Sequence, residues 1–152
     1  MRDIDTDTAQ IQQVDVRGPR FAAWITTAVL VAVLLIADPA VAAGLLAAQA
    51  VVFAIGAISG PRRHPYGLLF ARLVAPRLGP VTEREPTAPL RFAQLVGLVF
   101  AVVGVAGFAF APGLGLIATA FALAAAFLNA AFGICLGCQL YPLVVRLRPD
   151  TA

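Results

Sequence analysis

The chain has 152 residues, 61% of them apolar and 12% charged, with a mean hydropathy of +0.90. A single soluble domain of that length has no use for so much apolar surface, so a water-soluble globular fold is excluded. All the basic residues are arginine, the formal net charge is only +3, and the arginines lie in the gaps between apolar runs. That pattern excludes a nucleic-acid footprint, which needs basic side chains clustered on one polar face.

Residues 1–16, with Asp3, Asp5, Asp7 and Asp15, show no apolar period and predict an acidic tail that is disordered or lies on the surface. Because this tail precedes the first apolar run in place of a short basic region, the run reads as an anchoring span and not as a cleavable leader. Residues 21–37 and 40–58 carry no charge. Each would extend roughly 25 to 29 Å as a helix, enough to cross a hydrocarbon core of about 30 Å. Only Asp38-Pro39 separates them, which leaves room for a tight antiparallel turn and nothing else.

The segment 59–91 contains Pro61, Pro65, Pro76, Pro80, Pro86 and Pro89, a density that forbids one continuous helix. Within it, residues 66–74 predict a turn or two of amphipathic helix in the interface, with Arg72 snorkelling. A third span follows at about 92–111, a Pro112-Gly113 turn, and a fourth at about 114–137. The apolar run reaches Val145, too far for one straight span, so the part from Cys135 onward is expected to emerge into the interface. Tyr141 suits that depth, and Pro142 is expected to bend or end the helix. The predicted fold is all-α: a polytopic membrane protein of four transmembrane helices arranged as two antiparallel hairpins.

On this plan Arg2, Arg17 and Arg20 precede the first span, Arg62, Arg63, Arg72, Arg77, Arg84 and Arg91 fall in the 59–91 loop, and Arg146 and Arg148 follow the last. All lie on one side, and the opposite side carries only Asp38. The positive-inside rule then places both termini and the loop in the cytoplasm of a multi-pass protein of the cell (plasma) membrane. An internal repeat is also visible. Arg20-Phe21 and Arg91-Phe92 open the halves, Pro39 and Pro112 turn them, and Gly56-x-x-x-Gly60 and Gly133-x-x-x-Gly137 close them. A parallel repeat of this kind would set the two cysteines level with residues 58–61 and start the Arg62-Arg63-His64 loop beside them.

Cys135 and Cys138 are the only cysteines, spaced to project from the same side of a helix. Such a pair is a candidate for redox or sulfur-handling chemistry, for a metal site, or for nothing beyond small buried residues. Redox work requires that one thiol ionise, and the C-terminal end of a fourth helix would oppose this through its dipole. Activation then falls to neighbouring Arg62, Arg63, Arg146 or His64, or to a break in the helix at Gly133 or Gly137. Arg62, Arg63 and His64 are accordingly the candidate thiolate-stabilising residues, with His64 also readable as part of a rigid loop touching anionic lipid. For metal, the two thiolates and His64 supply three ligands where a closed zinc site takes four, so no metal and no cofactor is assigned.

Gln49, Thr119 and Asn129 within the spans read as interhelical packing groups. The lack of mid-membrane charge argues against a proton-coupled pump or an ion channel with a charged filter. Hydrolase and nucleotide-dependent readings find no catalytic triad, carboxylate pair or phosphate-binding glycine loop.

Arg17-Gly18-Pro19-Arg20-Phe21, Gly60-Pro61-Arg62-Arg63-His64-Pro65-Tyr66-Gly67, Arg91-Phe92-Ala93-Gln94 and the stretch from Asn129 to Cys138 resemble the actinobacterial integral-membrane family known as domain of unknown function 4395. The resemblance implies a four-helix membrane fold, the thiol pair, and association with thioredoxin-like and sulfur-transfer proteins; it brings no assigned activity. The leading functional expectation is a thiol-redox or sulfur-relay membrane protein working with a soluble thiol protein at the cytoplasmic face. The alternatives are a small transporter subunit for a neutral or sulfur-containing solute, which would need a homo-oligomer to enclose a path, and a structural partner in the bilayer.

Overall fold

A computed structural model describes residues 13–148. In order these form β1 (Gln13–Asp15), α1 (Arg17–Leu35), α2 (Pro39–Ser59), α3 (Pro65–Leu69), β2 (Arg84–Pro86), α4 (Thr87–Phe110), α5 (Pro112–Phe132) and α6 (Leu136–Leu147). Between α3 and β2 the helical path continues as a π turn, Phe70–Val74, and a 3-10 turn, Ala75–Arg77. The helices α1, α2, α4 and α5 are each long and apolar enough to cross a membrane.

Their ends follow local chemistry. Asp38 caps α2, its Oδ1 accepting from the N–H groups of Ala40 (2.8 Å) and Val41 (3.3 Å), and Pro39 sits at the first helical position, where no N–H is needed. Helix α4 begins at Thr87, several residues before the expected start near 92. Pro89 is tolerated there because it occupies the first turn, whose N–H groups have no intrahelical partner. Pro112 opens α5 in the same way.

The predicted tail is mostly outside the described residues, and its last part forms a strand. Gln13–Asp15 pairs antiparallel with Arg84–Pro86, Val14 opposite Glu85, and the strand ends in an Asp15–Arg17 ion pair at 2.8 Å. The helical turns predicted within 66–74 correspond to α3 and the π turn after it. Phe70 is buried there, its ring 5.7 Å from that of Phe21.

The core lies between the four long helices and is built from Leu30, Val33, Leu46, Phe53, Ala101 and Phe108 with several alanines. Large apolar side chains point outward, Leu35 79% and Phe110 90% exposed, as expected where lipid and not water surrounds the protein. Helix α2 packs chiefly on α4, α4 on α5, and α1 on α5, while α1 and α2 touch each other much less. The first two spans, expected to form an antiparallel hairpin, are therefore held mainly by the second pair. Small residues allow these close approaches, which in lipid replace hydrophobic burial as the source of helix association.

Candidate functional site

The end of α5 decides the geometry of the cysteines. Gly133 takes a left-handed conformation (φ 69°), which a side chain would disfavour, and this stops the helix at Phe132. The Gly133 N–H returns to the Asn129 carbonyl (3.0 Å) and the Ile134 N–H to Leu128 (3.2 Å). Arg20 reaches across from α1 to the carbonyls of Ala130 (3.3 Å) and Ala131 (3.4 Å). These bonds satisfy carbonyls that a helix terminus leaves open.

The chain then restarts. Cys135 is extended (φ −89°, ψ 101°) and forms the N-cap of α6, its Sγ accepting from the Cys138 N–H at 3.2 Å. The two cysteines form a disulfide, with Cα atoms 5.2 Å apart, in the usual range for such a bond. This corrects the expectation of a fourth helix running to about 137 with the thiols at its C-terminal end. They sit at the N-terminus of a separate helix, where backbone N–H groups and the helix dipole favour negative charge on sulfur. Both cysteines are half-buried. Helix α6 also passes through Pro142 without ending. It lies close on α4: a Cβ at Gly137 would come 2.6 Å from the Cα of Ala93, and Tyr141 sets its ring 6.0 Å from Phe92.

His64 occupies a comparable place at the end of α2. Gly60 (φ 82°) ends that helix, and His64 forms the N-cap of α3, its Nδ1 accepting from the Tyr66 N–H at 3.2 Å. The imidazole is 3% exposed and folds back onto Gly56. Burial pushes its pKa down from 6.5 to about 4, and the Gln94 side chain beside it only partly opposes this. With Nδ1 accepting, the proton of the neutral ring is on Nε2. That atom has no hydrogen-bond partner of good geometry, and neither has Gln94 Oε1. Tyr66 packs edge-on against His64, ring centroids 5.2 Å apart, and donates its hydroxyl to Gln49 Oε1 at 2.7 Å. The polar line Gln49, Tyr66, His64, Gln94 thus runs through the bundle.

Two cavities meet at this line. One, about 290 Å³, is lined by Cys135, Gln94 and Asn129 at one end and by Phe53, Phe100 and Phe121 at the other. The second, about 370 Å³, is lined by His64 and Arg62, and both share Pro19, Ala22, Leu90 and Gln94 as a common wall.

The sequence-predicted residues are therefore partly assembled. Cys135 and Cys138 are joined, and His64 stands beyond Gln94 as a neutral hydrogen-bond donor, not a cation. Arg62 donates to the Gln13 carbonyl (2.9 Å), and Arg63 is exposed, its backbone N–H on Gly60. The guanidinium placed just upstream of the disulfide is that of Arg20. Among the described residues no three His, Cys, Asp or Glu side chains come together as a metal set. Sequence reasoning gave no role to Gln94, although an amide near the start of a charge-free span was the available signal, and it did not foresee that Tyr66 reaches Gln49.

A family model described as Domain of unknown function (DUF4395) matches residues 14–146. No curated protein and no solved structure matches the chain.

Proposed function

From the premise that the chain belongs to the DUF4395 family, whose description carries no activity, we propose that it is a thiol–disulfide oxidoreductase of the plasma membrane. The Cys135–Cys138 pair exchanges with a soluble thiol protein at the arginine-bearing face, which is cytoplasmic. The observation that supports this reading is the seat of the pair: a C-x-x-C disulfide whose first sulfur caps a helix and accepts the Cys138 N–H. That N–H, together with the start of the helix, makes Cys135 the better leaving and attacking thiolate, and Cys138 the resolving thiol.

In the exchange, the thiolate of a reduced partner attacks Cys135 Sγ, the Cys135–Cys138 bond breaks, and Cys138 leaves and takes a proton. A second partner thiol then attacks the mixed disulfide, releasing an oxidised partner and the reduced pair. Two electrons and two protons pass from partner to protein, and the steps reverse when the partner is the oxidant.

Redox titration against dithiothreitol or glutathione tests the proposal. A catalytic pair should titrate between roughly −120 and −270 mV, whereas a value below about −300 mV would mark a structural staple. Cys138→Ser should accumulate a mixed disulfide through Cys135, and Cys135→Ser should not.

A further inference from the structure

We propose that the cavity beside Cys135 binds a lipid-soluble quinone, ring toward the disulfide and tail toward mid-membrane, and that the cysteine pair exchanges two electrons with it. The inference rests on the redox reading above and names the class of its partner within the bilayer.

The cavity is graded along its length. Cys135, Gln94 and Asn129 line the end where α5 stops, and Phe53, Phe100 and Phe121 line the part deeper in the spans. A molecule that fits must have hydrogen-bonding atoms at one end and hydrocarbon at the other. Phe121 is 63% exposed, so the wall continues onto the surface that faces lipid, and an occupant enters from the bilayer without crossing water.

The polar end carries two side-chain amides, Gln94 and Asn129. Gln94 Oε1 is fully buried and turned toward His64 and Gly56, which lie outside this cavity. A quinone carbonyl would accept from a side-chain N–H of Gln94 or Asn129, and a quinol hydroxyl would donate to the Asn129 side-chain oxygen. An acyl chain fills only the apolar end and places nothing reactive against the sulfur.

The redox arithmetic selects the same class. When the dithiol is oxidised, both S–H bonds break, the S–S bond forms, and two electrons and two protons move to the two quinone oxygens to give a quinol. The reverse reaction reduces the disulfide. Quinone and quinol are both uncharged, so neither form is penalised in an apolar cavity, and no further oxidant or reductant is required.

The test uses the full chain in detergent, its disulfide reduced with a phosphine that is then removed, kept free of oxygen. The probe is a fully ring-substituted benzoquinone with a short alkyl tail, which offers no free ring position to a thiol. One quinol should form per protein as the disulfide returns, with a rate that saturates in quinone. Ala125→Leu, which fills the cavity, should raise the half-saturating concentration about tenfold and leave the potential against dithiothreitol unchanged. Saturable quenching of Trp24, the single tryptophan, by the same quinone in the unaltered protein gives a reading independent of how the variant folds. Re-oxidation linear in quinone, with no saturable quenching, would overturn the inference and mark the cavity as an acyl-chain groove. A pair that exchanges with soluble dithiols but behaves this way leaves the redox reading standing. Saturable quinone reduction by a pair that ignores soluble dithiols does the opposite.

Discussion

At His64 an imidazole is held in its neutral form inside a membrane bundle, and this couples stability to pH. The folded protein binds the proton only near pH 4, the unfolded chain near 6.5. Between those values the unfolded state carries more protons, so stability rises with pH across the window, is fully present above about 6.5, and is lost as pH falls toward 4. Thermal unfolding in detergent should therefore fall by on the order of 5 °C between pH 7 and 4.5. His64→Gln, which keeps a donor but does not titrate, should flatten that dependence while Asp15 and Glu85 go on titrating in both proteins; an unchanged slope would refute the assignment. At this scale the sequence was readable only in part. The C-x-x-C spacing is plain, but whether it begins or ends a helix turns on the backbone of Gly133, and composition does not say which of thirteen glycines will be left-handed. The loop position of His64 likewise suggested a surface group, because nothing local to it shows that the chain folds back onto Gly56.

Among the elements, the two short helices α3 and α6 carry the site, each starting a few residues after a glycine of positive φ, with His64 and Cys135 as their N-caps. Tyr66 fixes α3 to the bundle through Gln49, which is 1% exposed and whose Nε2 has no partner of its own. Tyr66→Phe leaves that amide wholly unsatisfied and should cost about 1 to 3 kcal/mol in denaturation measurements. Faster amide exchange across 65–69 should accompany it. The arginines that open the two halves cap each other's ends: Arg20 binds the last carbonyls of α5, and Arg91 those of Ala57 (3.1 Å) and Ile58 (2.6 Å) in α2. Arg20→Gln should loosen amides around 132–135 and spare 57–60, with Arg91→Gln giving the converse in hydrogen exchange. Hydropathy located all four spans because lipid demands long charge-free runs. It missed their ends by several residues at Thr87 and Phe132, where a proline in the first turn and one glycine outweigh the average.

For the molecule as a whole, if the arginine-bearing face is cytoplasmic, as proposed, the turns at Asp38 and Pro112 face outward. A single cysteine introduced as Gly113→Cys, with Cys135 and Cys138 changed to serine, should react with an impermeant thiol reagent on intact cells. Gly79→Cys in the same background should react only after permeabilisation, and the reverse pattern would invert the orientation. Architecture was legible as a count of spans, whereas their neighbours were not, since helices with similar apolar faces carry no mark of which partner they choose. The choice made here, α1 against α5 with little of α2, bears on how the protein is manufactured. Helix α1 leaves the ribosome before α5 and waits in lipid for it, and the carbonyls of Ala57 and Ile58 wait for Arg91. Separately expressed halves, cut between Gly79 and Pro80, should accordingly be degraded alone and survive only when made together.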